Sequence, residues 1–139
     1  MSKNYDADWE NALTVVQEVQ PPAIPEGAHA MTVVVEFGPG SAGAPPHRHP
    51  YGPAFGYVLE GEMLFELEGE APRVIRAGEA FWEPGGDVIH YQDANNRTDI
   101  PLRFLVTMMM APDQQVLVFV EDDELKQSGW VRRSPGSST

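Results

Sequence analysis

Apolar and polar positions alternate most clearly over residues 62–68, where Met63, Phe65 and Leu67 share one face and Glu62, Glu66 and Glu68 the other, with Leu64 the exception. A period of two predicts a strand with one face buried. Residues 31–37 are rich in β-branched side chains and stop at Gly38-Pro39-Gly40, which predicts a second strand. Further strands are predicted over 47–49, 55–59, 73–76, 78–82, 88–92, 102–110 and 116–120, with a short one over 13–19. Pro50-Tyr51-Gly52-Pro53, Glu60-Gly61, Gly69-Glu70 and Pro84-Gly85-Gly86 read as turns between them. The clearest helical stretch is short, over 121–126. Many short strands with regular turn signals predict an all-β sandwich or barrel, and no repeat of solenoid or propeller length interrupts the pattern.

Composition narrows this picture. A length of 139 residues suits a single domain able to bury a core of its own. Residues 1–27, with Pro21, Pro22 and Pro25 as helix breakers, read as an N-terminal arm, 28–122 as the barrel, and 123–139 as a loose, polar, partly flexible C-terminal segment. With no cysteine, the chain has no disulfide, thiolate metal site or cysteine nucleophile, and it is compatible with a reducing compartment. Nine basic residues against 21 acidic ones give a net charge of −12, which argues against nucleic-acid and anionic-membrane partners. The first ten residues are polar and acidic, and no apolar run approaches a membrane span, so the expectation is a soluble, cytoplasmic protein.

Candidate chemistry centres on histidine. In His47-Arg48-His49 the two imidazoles project from the same side of an extended segment, and His90 follows on another. Three neutral nitrogens meeting inside a β-fold predict a site for one divalent transition metal: iron, zinc, nickel, copper or manganese. His29 is expected on the surface or in packing. Asp87 and Asp93 are read as turn or surface groups. Ser41 lacks the strand–elbow–helix setting of a nucleophile, and the glycine-rich turns precede no helix that would make them phosphate loops.

These residues resemble the cupin superfamily, a small jelly-roll β-barrel, over about residues 31–120. Its first motif is similar to Gly40-Ser41-Ala42-Gly43-Ala44-Pro45-Pro46-His47-Arg48-His49, with one residue more than the pattern, closing at Gly61. Its second is similar to Gly78-Glu79-Ala80-Phe81-Trp82-Glu83-Pro84-Gly85-Gly86, after which His90 arrives one residue late and Asn95 one late again. The resemblance implies a fourth, glutamate ligand at the position of Ala54, but residues 50–59 hold no carboxylate. Glu83 is the one carboxylate considered as a substitute, and it is set aside. What remains is a three-histidine site of His47, His49 and His90, similar to those of cupin-like oxygenases that cleave β-diketones or oxidise thiols to sulfinates. The resemblance therefore implies a metal-dependent oxygenase or isomerase acting on a small organic molecule. The alternative is a non-catalytic barrel that binds or senses one. The small Ala54 and Gly56 are expected to leave a gap beside the metal that admits substrate. Gln92, two residues after His90, is expected to face the same pocket, and Tyr51 and Tyr57 are further polar candidates. Phe55, Phe65, Phe81, Trp82 and Met108-Met109-Met110 supply apolar lining or core. A homodimer is expected, formed by arm residues 6–20 on a neighbour's sheet edge or by the apolar run 116–120.

Overall fold

The computed structural model describes residues 6–132. After a 3-10 turn at Trp9–Ala12, the chain forms β1 (His29–Phe37), β2 (His47–Arg48), β3 (Ala54–Glu60), β4 (Glu62–Leu67) and β5 (Arg73–Arg76). It continues through β6 (Ala80–Glu83), β7 (Ile89–Asn95), β8 (Leu102–Met110), β9 (Val118–Phe119) and one helix, α1 (Asp122–Ser128). The strands build two antiparallel sheets, ordered β1-β8-β3-β6 and β5-β4-β7-β2-β9. Two sheets closing over one core make the all-β architecture that the alternation predicts, in the jelly-roll form that the cupin resemblance implies.

The core follows the predicted faces. Met63, Phe65 and Leu67 are buried on β4, and they pack with Val58, Ile75, Phe81, Leu102 and Phe104. Phe81 sits between Phe65 and Phe104, with ring centroids 5.2 Å and 5.7 Å away. A second, smaller cluster lies on the opposite face of β7, where Ile89, Tyr91 and Val120 meet Leu125 and Trp130.

Most strand bounds fall within two residues of those predicted, and β5 and β8 coincide with them. Three regions differ. Residues 13–20 form no strand; Gln17 instead donates its side-chain amide to the carbonyl of Phe81 on β6, 2.8 Å away. That carbonyl belongs to an edge strand, so a side chain does there what a neighbouring strand would do elsewhere. In the run 116–120, Val118 and Phe119 are exposed while Val120 is buried. The segment after α1 is not featureless. Gly129 ends the helix with a left-handed φ of 74°, and Trp130 then lies flat on Tyr91, with centroids 4.9 Å apart and ring planes within 7°. The rest of the expected loose segment, 133–139, and residues 1–5 lie outside the described residues. Among the described residues no helix is long and apolar enough to cross a membrane.

Candidate metal centre

His47 on β2 pairs directly with His90 on β7, so the β2–β7 ladder sets two imidazoles side by side. His49 follows β2 by one residue and turns inward again. Their rings pack edge-on, 4.9 Å (His47–His90) and 5.0 Å (His47–His49) between centroids. Glu83, the last residue of β6, completes the cluster from the other sheet: its Oε1 lies 3.0 Å from His90 Nδ1 and 3.4 Å from His49 Nε2. All four residues are buried, and one potential ligand atom from each falls within 4.8 Å of the others.

Each ring is held from behind by a carbonyl. His47 Nδ1 meets Pro45 O at 2.8 Å, His49 Nδ1 meets Val116 O at 2.8 Å, and His90 Nε2 meets Gln92 O at 2.9 Å. A carbonyl can only accept, so those nitrogens carry hydrogen, and Nε2 of His47, Nε2 of His49 and Nδ1 of His90 are the ligands on offer.

The separations around Glu83 fit a shared metal ion. At a metal–ligand length of about 2.1 Å, two ligands at a right angle stand about 3.0 Å apart and at the tetrahedral angle about 3.4 Å. Those are the Glu83–His90 and Glu83–His49 separations. Nδ1 of His90 is moreover fully buried and makes no hydrogen bond, despite the nearby carboxylate. A buried nitrogen left without a hydrogen bond is costly unless something else satisfies it, and a cation does so. Three imidazoles and one carboxylate suit a first-row divalent ion without selecting one.

Electrostatics agree. Burial by itself raises the Glu83 carboxyl, but the charge of His90 and the closeness of His49 outweigh it and hold the group well below the usual carboxylate range. Burial pulls His90 and His49 down, yet the adjacent Glu83 carboxylate wins and raises both above an ordinary imidazole. His47, without such a close carboxylate, is lowered by burial and by the neighbouring charge of His90. The Glu83 carboxylate and the rings of His49 and His90 thus favour one another's charged forms, and a cation entering the cluster competes with protons.

Glu83 is the correction to the expectation of a bare three-histidine site. It stands directly opposite Ala54 in the β3–β6 pairing, so the carboxylate absent from β3 comes from the adjacent strand. One negative ligand leaves a bound dication a formal charge of +1 instead of +2, which weakens the pull on an anionic substrate. The expected gap is filled by the same pairing. Gly56 faces Phe81, and a Cβ added at Gly56 would stand 2.0 Å from the Phe81 ring. Small residues on β3 make room for large ones on β6, so Ala54 and Gly56 open no entrance.

Gln92 also falls elsewhere. The β4–β7 register shifts between Glu66 and Leu67: Leu67 pairs with His90 and Glu66 with Gln92, leaving Tyr91 as an extra residue. This bulge puts Tyr91 and Gln92 together on the outer face. Gln92 donates there to Glu66 Oε1 at 3.0 Å, and Trp130 Nε1 donates to the same oxygen at 3.0 Å. The period-two rule fails at the bulge, and the next inward residue is Asp93. Asp93 is buried, accepts the Ala44 N–H at 2.8 Å through Oδ1, and lines the cavity. Tyr51 is exposed in a separate surface hollow lined by Pro22, Pro25 and Gly85, away from the cluster. Tyr57 lies on the outer face of β3, half-buried, between the inward Gly56 and Val58.

The cavity that these four residues help to line has a volume of about 150 Å³. Its remaining wall is apolar apart from Asp93, with Val33, Val35, Phe104, Val106, Met108 and Leu117 prominent. Apolar lining with few polar groups is the usual composition of a small-molecule site, and this volume admits only a small ligand.

Residues 33–108 match the cupin domain family. No curated protein matches the chain significantly. Among solved structures it is similar to the DMSP lyase DddQ from Ruegeria pomeroyi DSS-3, with 27% identity, a TM-score of 0.50, and 65% of this chain covering 42% of that one. It is also similar to a cupin protein from Bacteroides fragilis (18% identity, TM-score 0.51, 82% of this chain and 91% of that one). A recombinant oxalate oxidase in complex with glycolate shares the fold at 21% identity and a TM-score of 0.53, over 87% of this chain and 75% of that one. The chain spans less than half the length of the DMSP lyases it matches. The family match runs over more than half of the sequence and takes in His47, His49, Glu83 and His90, and this chain belongs to the cupin family.

Proposed function

We propose that this protein is a metal-dependent enzyme acting on a small organic molecule, by oxygenation or isomerisation, at a centre held by His47, His49, His90 and Glu83. The observation that carries the reading is the convergence of these four buried side chains, each offering one ligand atom, in the wall of a largely apolar cavity. Open coordination positions facing a pocket characterise catalytic rather than structural sites.

A bound divalent ion supplies Lewis acidity and a place for substrate oxygen atoms. The chain supplies the rest. Carbonyls of Pro45, Val116 and Gln92 fix which nitrogen each ring presents. Val33, Val35, Phe104 and Val106 exclude water and confine the ligand. Asp93, whose Oδ1 accepts the Ala44 N–H, lines the cavity and offers its carboxylate as an acceptor for a donor group on the substrate. The similarity to a DMSP lyase, at 27% identity, adds elimination to the reactions worth screening.

The test loads metal-stripped protein separately with Fe(II), Mn(II), Ni(II) and Zn(II), measures metal content, and screens small hydroxy acids, dicarbonyls and thiols for turnover and O₂ uptake. About one ion per chain is expected, as for a mononuclear centre, with metal and turnover lost together in His47→Ala and His90→Ala. Wild-type protein that takes up no metal overturns the reading. Tight ligand binding by stripped protein with no turnover of any screened compound favours the non-catalytic barrel.

A further inference from the structure

The two strands that carry the histidines are gripped from outside by a single stretch of chain, residues 121–132. Arg48, between His47 and His49, points away from the cavity and forms a two-pronged ion pair with Glu124 of α1, at 2.5 Å and 3.1 Å. Tyr91, next to His90, lies under Trp130. Trp130 Nε1 and the Gln92 amide share Glu66 Oε1, which ties the bulge to β4. Arg132 stacks over Trp130, 5.2 Å from its ring, and donates to the carbonyl of Ala42 in the loop that enters β2.

The bulge is what this grip holds. Its extra residue is Tyr91, and its geometry brings the Gln92 carbonyl to Nε2 of His90, so that Nδ1 is the nitrogen turned inward. The same shift places Asp93 in the cavity beside His90. Without the extra residue, Gln92 would point in and Asp93 out.

We propose that residues 121–132 form a positioning strap, in which Trp130 stacked on Tyr91 locks the β7 bulge and thereby sets the orientation of His90 for metal binding. The inference rests on the metal reading given above. Partners that orient a ligand from behind are worth about 10–100-fold in metal affinity. Trp130 acts one step further out, through Tyr91 and Gln92, so a loss near tenfold is expected.

The experiment titrates Co(II) into metal-stripped full-length protein and follows both affinity and the visible ligand-field spectrum. Trp130→Ala is expected to bind about tenfold more weakly with an altered spectrum. Trp130→Phe, which keeps a ring on Tyr91 but not the bond to Glu66, is expected to stay near wild type. Ile75→Ala serves as the stability control: Ile75 is buried on β5, which pairs with neither ligand strand, so the protein loses stability while Co(II) affinity and spectrum hold. If Trp130→Ala does not fold, Trp130→Leu gives the same comparison. Equal affinity and spectrum in wild type and Trp130→Ala overturn the strap, as does an affinity that merely tracks melting temperature across Trp130→Ala and Ile75→Ala. Wild type that binds no Co(II) fails at the level of the metal centre instead, a distinct result.

Discussion

Glu83→Gln is the sharpest single perturbation of the centre. The side chain is buried, and glutamine has almost the same shape, so the β3–β6 packing against Ala54 and Phe81 is retained. What changes is the charge and one oxygen ligand, 3.0 Å from His90 Nδ1 and 3.4 Å from His49 Nε2. Partners one shell further out contribute about 10–100-fold to affinity, so a ligand among four is expected to exceed that range. A loss of at least 100-fold corresponds to about 2.7 kcal/mol. The assay is competition of metal-stripped protein against a chelator of known affinity for Zn(II) and Ni(II), with circular dichroism to verify the fold. A well-folded Glu83→Gln that binds within threefold of wild type refutes the assignment of Glu83 as a ligand, and returns the site to three histidines.

The remaining predictions concern packing and protons. Gly56→Ala places a methyl 2.0 Å from the Phe81 ring, forcing a shift in a tightly packed core. Overpacking of that kind costs about 1–3 kcal/mol, or about 3–10 °C of melting temperature in a domain of this size. An unchanged melting temperature by calorimetry refutes the account of Gly56 as the seat of Phe81. In metal-free protein, the lowered Glu83 carboxyl stabilises the fold above its unfolded value, and the raised His49 and His90 stabilise it below theirs. Their joint contribution is therefore greatest between about pH 4.3 and pH 6.5, the unfolded carboxylate and imidazole values. Glu83→Gln is expected to lose most stability in that window and progressively less as pH rises through the folded histidine values; a loss that grows with pH contradicts the pairing. Metal affinity carries the opposite sign and rises with pH, because His49 and His90 must shed protons to bind.

The barrel was legible because alternation such as that of Met63, Phe65 and Leu67 reports directly on which face is buried. The histidines were legible for the same reason: His47 and His49 sit two apart. Glu83 is the substitute that the sequence reading names and sets aside, although the same rule points to it. Phe81 is a core residue, and two positions on, Glu83 must share its inward face. What the sequence does not display is the β3–β6 register, which places Glu83 across from Ala54. Gln92 and Asp93 were exchanged because a bulge breaks the period of two. Its trace is present in the sequence as the additional residue between His90 and Asn95, and Asn95 regains the inward face, donating to the carbonyls of Gly38 and Ile100. Trp130 had no local signal: its partner Tyr91 lies 39 positions away along the chain, and only the folded chain brings the two together.

The contact between Gln17 and the Phe81 carbonyl has a consequence for solution behaviour. β6 ends its sheet, and an uncovered terminal strand is a template on which further chains can add, the first step toward fibrils and insoluble aggregates. Gln17 engages one of the hydrogen-bonding groups on that border while Leu13, Val15 and Val16 beside it stay in water. Proteolytic trimming of this segment would bare the border and raise the tendency to precipitate, while leaving the histidine cluster itself intact.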